Sequence, residues 1–315
     1  MLGPAVRLAK AFLADLMSFA ARSRTTHAAD DPNASIDNIK ISQGLILTEL
    51  HRGKGSKQLK DYEFKVFSQS GEDGILQHLI GCIEIKHKTF IEFGVQDFFE
   101  SNCRFLLMKD NWIGFVLDSS ANNIERLINS YFYWKYQLTA IQAFVTRDNI
   151  NELLARSGLD EDLGILSIDI DGNDYYVFEA ITGFKPRILV LEYNAIFGPT
   201  RKISVPYDGN FVRTEKHYSN LYFGASLAAI TDLANTRGYS LVGTNSTSSN
   251  AFFLRNDLIN DRVEVLSAEK AYVPSLFRES RDHEGNLTFL SGNDRLEIIR
   301  GLPVYRIDVN RIEPL

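Results

Sequence analysis

Between residues 89 and 192 the chain repeats one pattern: a short apolar run, a carboxylate, a polar turn and a stretch of helical spacing. Thr89-Phe-Ile-Glu92-Phe-Gly94, Gly114-Phe-Val-Leu-Asp118, Gly164 to Ile170 and Arg187-Ile-Leu-Val-Leu-Glu192 are too short for helices and too continuously apolar for half-exposed strands. Each reads as a strand buried in a parallel sheet, with a further strand near Leu138 to Val145. The intervening segments, roughly 101–109, 121–130, 149–155 and 174–181, read as helices. A helix over about 225–237 leads into two short strands, Tyr239–Val242 and Ala251–Leu254, whose brief connection predicts antiparallel pairing. The expected fold is therefore α/β and Rossmann-like: a mostly parallel seven-stranded sheet with an antiparallel edge strand.

Outside that core the pattern changes. Met1 to Arg24 mixes apolar residues with Arg7, Lys10, Arg22 and Arg24, residues 21–37 read as a linker, and helical spacing resumes from Ile39 to Leu50. Ser70 or a neighbour is placed to cap a helix beginning near Glu72. Residues 195–220 hold glycine, proline and no period, and an irregular stretch of that length inside a domain is usually functional or mobile. The expected organisation is 1–37 as N-terminal helix and linker, 38–63 as accessory helix, 64–255 as the main domain and 256–315 as a C-terminal extension or lid.

Composition narrows the partners. The net charge of −6 offers no nucleic-acid surface. Cys82 and Cys103, the two cysteines, lie in apolar contexts and read as free thiols of a reducing cytoplasm. No apolar run reaches the ~18 residues needed to span a bilayer. For residues 1–24, packing against the protein or a weakly ordered leader is favoured over an interfacial helix in peripheral contact with anionic lipid.

Ligands of open α/β sheets bind outside the carboxyl ends of the strands, where the acids of this chain lie. Asp118 ends the second strand and is placed to accept hydrogen bonds from ribose hydroxyls, with Ser119 or Asn122 near an adenine. The turn Glu92-Phe-Gly94-Val-Gln-Asp97 has one glycine where a dinucleotide fingerprint has three, so a pyrophosphate could not approach closely. A phosphate-free cofactor such as S-adenosylmethionine suits the turn better. Glu92, Gly94, Asp97, Asp118, Ser119 and Asp169 form the expected cofactor-facing set. Asp169 and Asp171 share one side of their strand. Like charges that close invite a cation, and Asp169, Asp171 and Asn173 could hold a divalent metal. The alternative is that Gly172 makes a turn, Asp174 caps the next helix and a single acid meets the cofactor.

The order Glu92-Phe-Gly94, Leu117-Asp118, Ile168-Asp169-Ile-Asp171-Gly172-Asn-Asp174 and Leu191-Glu192-Tyr-Asn194, preceded by Phe67-Ser-Gln69-Ser-Gly71-Glu72-Asp73, resembles the FkbM-type S-adenosylmethionine-dependent methyltransferases over roughly residues 64–255. Tyr222-Phe-Gly224-Ala-Ser226, Asn250-Ala-Phe-Phe-Leu-Arg255 and Phe277-Arg278-Glu-Ser-Arg281-Asp282 fit the same pattern. The resemblance implies a Rossmann-like methyltransferase fold and methyl transfer to a hydroxyl of a small molecule or glycan. Asp171 is then the first candidate for general base or metal ligand and His217 the second. Glu192 and Asn194 would orient the acceptor, and Tyr207, Asp208 and Tyr222 would line its pocket. Two rivals stand beside this reading: a metal-dependent glycosyltransferase using Asp169-Ile-Asp171, and a non-catalytic scaffold that keeps the fold.

Overall fold

The computed structural model describes residues 32–315, and the segment 1–24 with the first part of the expected linker lies outside them. The chain divides into two compact units, residues 1–40 and 41–315. Helix α1 runs over Pro32–Arg52, so residues 32–37 are helical where a linker was expected. Proline at a helix's first position suits its fixed φ and lacks only an N–H that would have no partner there.

Alternation then proceeds through α2 (Glu72–Cys82), β1 (Thr89–Phe93), α3 (Arg104–Asp110), β2 (Ile113–Asp118), α4 (Ala121–Ile128), β3 (Leu138–Gln142), α5 (Ile150–Ala155), β4 (Ile165–Ile168), α6 (Asp174–Ala180) and β5 (Ile188–Glu192). The irregular segment contributes β6 (Ile203–Ser204) and α7 (Arg213–Lys216), and α8 (Leu227–Thr236), β7 (Tyr239–Thr244) and β8 (Asn250–Arg255) complete the domain. Beyond it lie α9 (Ala268–Ala271), α10 (Asn293–Ile299), β9 (Pro303–Arg306) and β10 (Arg311–Pro314).

The main sheet has the order β3-β2-β1-β4-β5-β8-β7. β8 is antiparallel to both its neighbours and the other pairings are parallel, so the antiparallel strand belongs to that edge, one place in. Side chains alternate across the sheet. Ile91 and Phe93 pack on one face with Leu117, Leu166 and Leu191, while Phe90 packs on the other with Val116, Ile165 and Val190. Both faces are covered, which is why these strands lack polar alternation. Each such fully buried side chain contributes about 1.5–3 kcal/mol of transfer free energy.

Helix α2 starts differently from the expectation. Its N-cap is Gly71, at φ +108°, and no side chain caps it. The turn is held instead by Asp73, whose Oδ2 accepts the N–H groups of Val66, Phe67 and Ser68 at 2.7–2.8 Å. The C-terminal extension builds a second sheet, β10-β9-β6, so the tail pairs with the irregular segment. Ile299 and Val304 of the tail share an apolar cluster with Phe197, Ile203, Phe211 and Tyr222. Among the described residues no helix is long and apolar enough to cross a membrane.

Candidate functional site

In this strand order β1 has β2 on one side and β4 on the other, so the chain reverses direction across the sheet between β1 and β4. Such a switch point opens a crevice at the carboxyl edge. A cleft lies there, lined by Gly94 after β1, Asp118 and Ser119 at the end of β2, and Asp169, Asp171 and Asn173 after β4.

The backbone around it is tight. Gly94 sits at φ +72°, and a Cβ on it would lie 1.7 Å from the carbonyl oxygen of Asp169. Glycine is demanded here by the close passage of the β4 turn. Gln96, Phe98 and Asp171 also have positive φ, at 49°, 63° and 57°, without being glycine. Backbone held this way by its surroundings gathers at functional sites.

Asp118 joins two turns. Its Oδ2 accepts Gln96 N–H at 2.8 Å, and its Oδ1 accepts Ser120 N–H at 2.8 Å and Asn123 Nδ2 at 3.2 Å. An ionised carboxylate has about four acceptor positions, so one remains for a ligand hydroxyl.

The acids after β4 and β5 form a second group. Ligand oxygens of Asp169, Asp171 and Glu192 all lie within 4.8 Å of one another. Burial and the neighbouring carboxylates hold Asp169 and Glu192 well above the ordinary carboxylate range. Glu192 Oε2 and Asn173 Oδ1 are buried without a hydrogen-bond partner. The cation facing this group is Arg213 of α7. Its Nη1 meets Asp171 Oδ1 at 2.6 Å, its Nε donates to the Asn220 carbonyl at 2.9 Å, and its guanidinium lies 3.7 Å from the centre of the Phe223 ring. Against its burial, Glu192 and Asp171 push the Arg213 pKa further up.

Several residues of the expected site have other work. Glu92 is 4 % exposed, and Ser101 Oγ, Asn102 N–H and Cys103 N–H donate to it at 2.6, 2.8 and 3.2 Å. It fastens the turn that leads into α3 and is not among the residues lining the cleft. Asp97 pairs with Arg126 at 2.7 Å. Asn194 donates from Nδ2 to the carbonyls of Leu221 and Phe223, both at 3.0 Å, and accepts Ile196 N–H, so it pins the irregular segment to β5. The Tyr222 hydroxyl donates to the Pro303 carbonyl, Asp208 pairs with Lys216, and Tyr207 reaches Asp148 at 3.1 Å beneath the Arg147 guanidinium. His217 bonds Ser219 Oγ at 2.7 Å and packs on Tyr218, and among the described residues no hydrogen bond or ion pair joins it to the three acids. Asn173 Nδ2 donates to the Asp208 carbonyl, and Glu192, expected to orient the acceptor, stands with Asp169 and Asp171 in the carboxylate group. Asp174 accepts the N–H groups of Ile170 and Gly172 at 2.8 and 2.9 Å, closing the turn that carries Asp171.

Phe211 and Arg213 were not foreseen. Phe211 lines the cleft and packs on Gly172, where a Cβ would come 2.2 Å from its ring. The enclosed space is about 130 Å³. Small-molecule pockets usually hold about 300–1,000 Å³. A ligand as large as a nucleoside exceeds this space as it stands.

No family model matches the sequence, and no curated protein sequence does. Solved structures with a similar backbone include the N-terminal domain of EvdMO1 with SAH (S-adenosylhomocysteine) bound, at 9% identity and TM-score 0.38, covering 68% of this chain and 94% of that one. An O-methyltransferase from Bacillus cereus in complex with SAH follows at 12% identity and TM-score 0.35, covering 77% of this chain and 88% of that one. A SAM-dependent methyltransferase from Aquifex aeolicus has 8% identity and TM-score 0.34, covering 57% and 89%.

Proposed function

We propose that this chain is an S-adenosylmethionine-dependent methyltransferase acting on a hydroxyl group of a small molecule or glycan. The observation that carries this reading is the cleft at the switch point, where Asp118 keeps a free acceptor position beside the glycine-poor turn of β1. Asp118 and Ser119 would hold the adenosine half, and the turn at Gly94 would pass its amino-acid half. Bound there, S-adenosylmethionine would supply a methyl group already activated by its sulfonium charge. The chain's own task is then to align the acceptor, exclude water and take a proton.

The carboxylate group suits the proton. Asp169 and Glu192 are so close that joint ionisation is disfavoured, and a neutral acid beside an ionised one is the pairing that accepts and passes a proton near neutral pH. Asp171, at the mouth, is the member an acceptor hydroxyl would reach first, since its side chain is 56% exposed. Arg213 stabilises the charge that gathers there. Phe211, lying across Gly172 at the cleft, would shield the reacting groups from water.

A second reading concerns a divalent cation. Asp169, Asp171 and Glu192 offer three oxygens at suitable mutual distances, with Asn173 Oδ1 unpartnered nearby. Arg213 would have to withdraw from Asp171 for a cation to enter.

Calorimetry on the full chain tests both readings. S-adenosylhomocysteine should bind, and Asp118→Ala should weaken it at least about tenfold, or ~1.4 kcal/mol, with the far-ultraviolet spectrum unchanged. A methylated product would then appear as a +14 Da shift when hydroxylated acceptors are screened. An absence of any binding would remove the methyl-transfer reading. Affinity that rises with added Mn²⁺ would favour the cation reading, and affinity indifferent to it would favour Arg213 as the resident counter-ion.

A further inference from the structure

A cavity much larger than the acid cleft lies elsewhere. It encloses about 700 Å³ and is bordered by Lys88 and Trp112, the residues immediately before β1 and β2. It therefore opens at the amino edge of the sheet, the end opposite the acid cleft. No step of the methyl-transfer reading uses it.

Its lining departs from the rest of the protein. Six cationic side chains, Arg52, Lys54, Lys57, Lys88, Lys109 and Arg262, face it against two acids, Asp110 and Asp261, in a chain whose net charge is −6. Some of that charge is already answered: Arg52 pairs with Glu49 and Lys109 with Asp110. Lys57 and Lys88 have no side-chain partner among the described residues. The inner wall is aromatic. Tyr62 and His78 stack with ring centres 3.5 Å apart, and Trp112, 1 % exposed, lies beside them. Burial, Arg262 and His51 push His78 down to about 4, so a neutral ring sits in surroundings that are already positive.

The rim is built. The Tyr62 hydroxyl lies 2.8 Å from the Lys54 carbonyl and 2.6 Å from that of Ser56, and Lys54 Nζ donates to the Asp61 carbonyl at 2.7 Å. Arg262 Nη1 donates to the Gly81 carbonyl at 2.5 Å. These bonds hold the 53–58 turn and the Arg262 side chain around the opening. A volume in the range of small-molecule sites, an aromatic wall and unanswered lysines specify an anion with a flat body. Two unpartnered lysines bordering one cavity suit a group carrying close to two charges, as a phosphate monoester does at neutral pH.

We propose that the cavity at the amino edge of the sheet binds a phosphate-bearing small molecule with an aromatic or otherwise flat body, seated against the half-buried His78, which Tyr62 backs from behind, and held by Lys57 and Lys88. The site is separate from the acid cleft, and the inference does not rest on methyl transfer.

Trp112 and Trp134 are the two tryptophans, and Trp134 is 68 % exposed, so Trp134→Phe leaves Trp112 as the reporter in the cavity wall. In that full-length background, titration with phenyl phosphate should change the emission saturably, and phenol should not. The double variant Lys57→Glu/Lys88→Glu should weaken the response at least fivefold. The milder pair Lys57→Gln/Lys88→Gln serves the same purpose if the charge reversal prevents folding. An equal response to phenol, no saturable response to phenyl phosphate, or affinity unchanged in the charge variants would each overturn the proposal.

Discussion

At the carboxyl edge of the sheet three acids crowd within 4.8 Å, two of them, Asp169 and Asp171, lining a cleft of about 130 Å³, while at the amino edge six cations border about 700 Å³. The two edges belong to the same strands, yet they are made differently. The carboxyl edge is backbone against backbone: Gly94 lies against the Asp169 carbonyl, Asp171 is held at positive φ, and Asp118 and Asp174 close the turns with hydrogen bonds to N–H groups. The amino edge is side chain around open space, with its rim held by a few bonds from Tyr62, Lys54 and Arg262. The larger space is not where like charges are compressed and the backbone strained. Compression of that kind costs stability, and surroundings that enforce it mark a site of chemistry.

The sharpest way to break the contrast is Gly94→Ala. A methyl group cannot fit 1.7 Å from a carbonyl oxygen, and φ +72° is strained for alanine. We expect a loss of at least about 4 kcal/mol in urea unfolding. A loss below about 1 kcal/mol would mean that the β1 and β4 turns are not packed as described.

Glu192→Gln probes the compressed charge through pH. The native Glu192 pKa is raised above the ordinary 4.5, by burial first and Asp169 next. Above pH 4.5 the native protein therefore keeps a proton that the unfolded chain gives up, and wild-type stability falls as pH rises through the native value. Glutamine removes that dependence. Thermal unfolding should show Glu192→Gln gaining on the wild type from pH 4.5 upward and exceeding it at pH 8. A wild type that is the more stable at pH 8 would show Arg213 holding Glu192 ionised.

The smallest effect is expected from Gly81→Ala, on α2 beside the amino-edge cavity. A Cβ there meets nothing within 4 Å, so the variant should gain up to about 1 kcal/mol from helix propensity. A loss in the same unfolding assay would make the amino edge as crowded as the other.

The strands could be read because they are buried on both faces: Phe90, Ile91 and Phe93 of β1 and Ile188 to Leu191 of β5 have to be apolar, whatever the rest of the chain does. Asp118 and Asp169 could be read because a carboxylate ending such a run has few places to go. The same logic misplaced Glu92 and Asn194, which look identical in sequence. Their oxygens are taken by N–H groups of Asn102, Cys103 and Ile196, and no periodicity forecasts which turn will fold back that far. Arg213 and Phe211 sit in a stretch with no period at all, and pairing of β6 with β9, a hundred residues away, helps set where that stretch lies.

By itself, then, the order of residues determined a buried parallel sheet and the acids that end its strands, since burial acts on each strand locally. Which acids crowd together, which cation faces them, and that the opposite edge gathers positive charge were decided by the tertiary structure. Those are matters of distance between elements far apart in the chain, and electrostatic energy depends on distance in space.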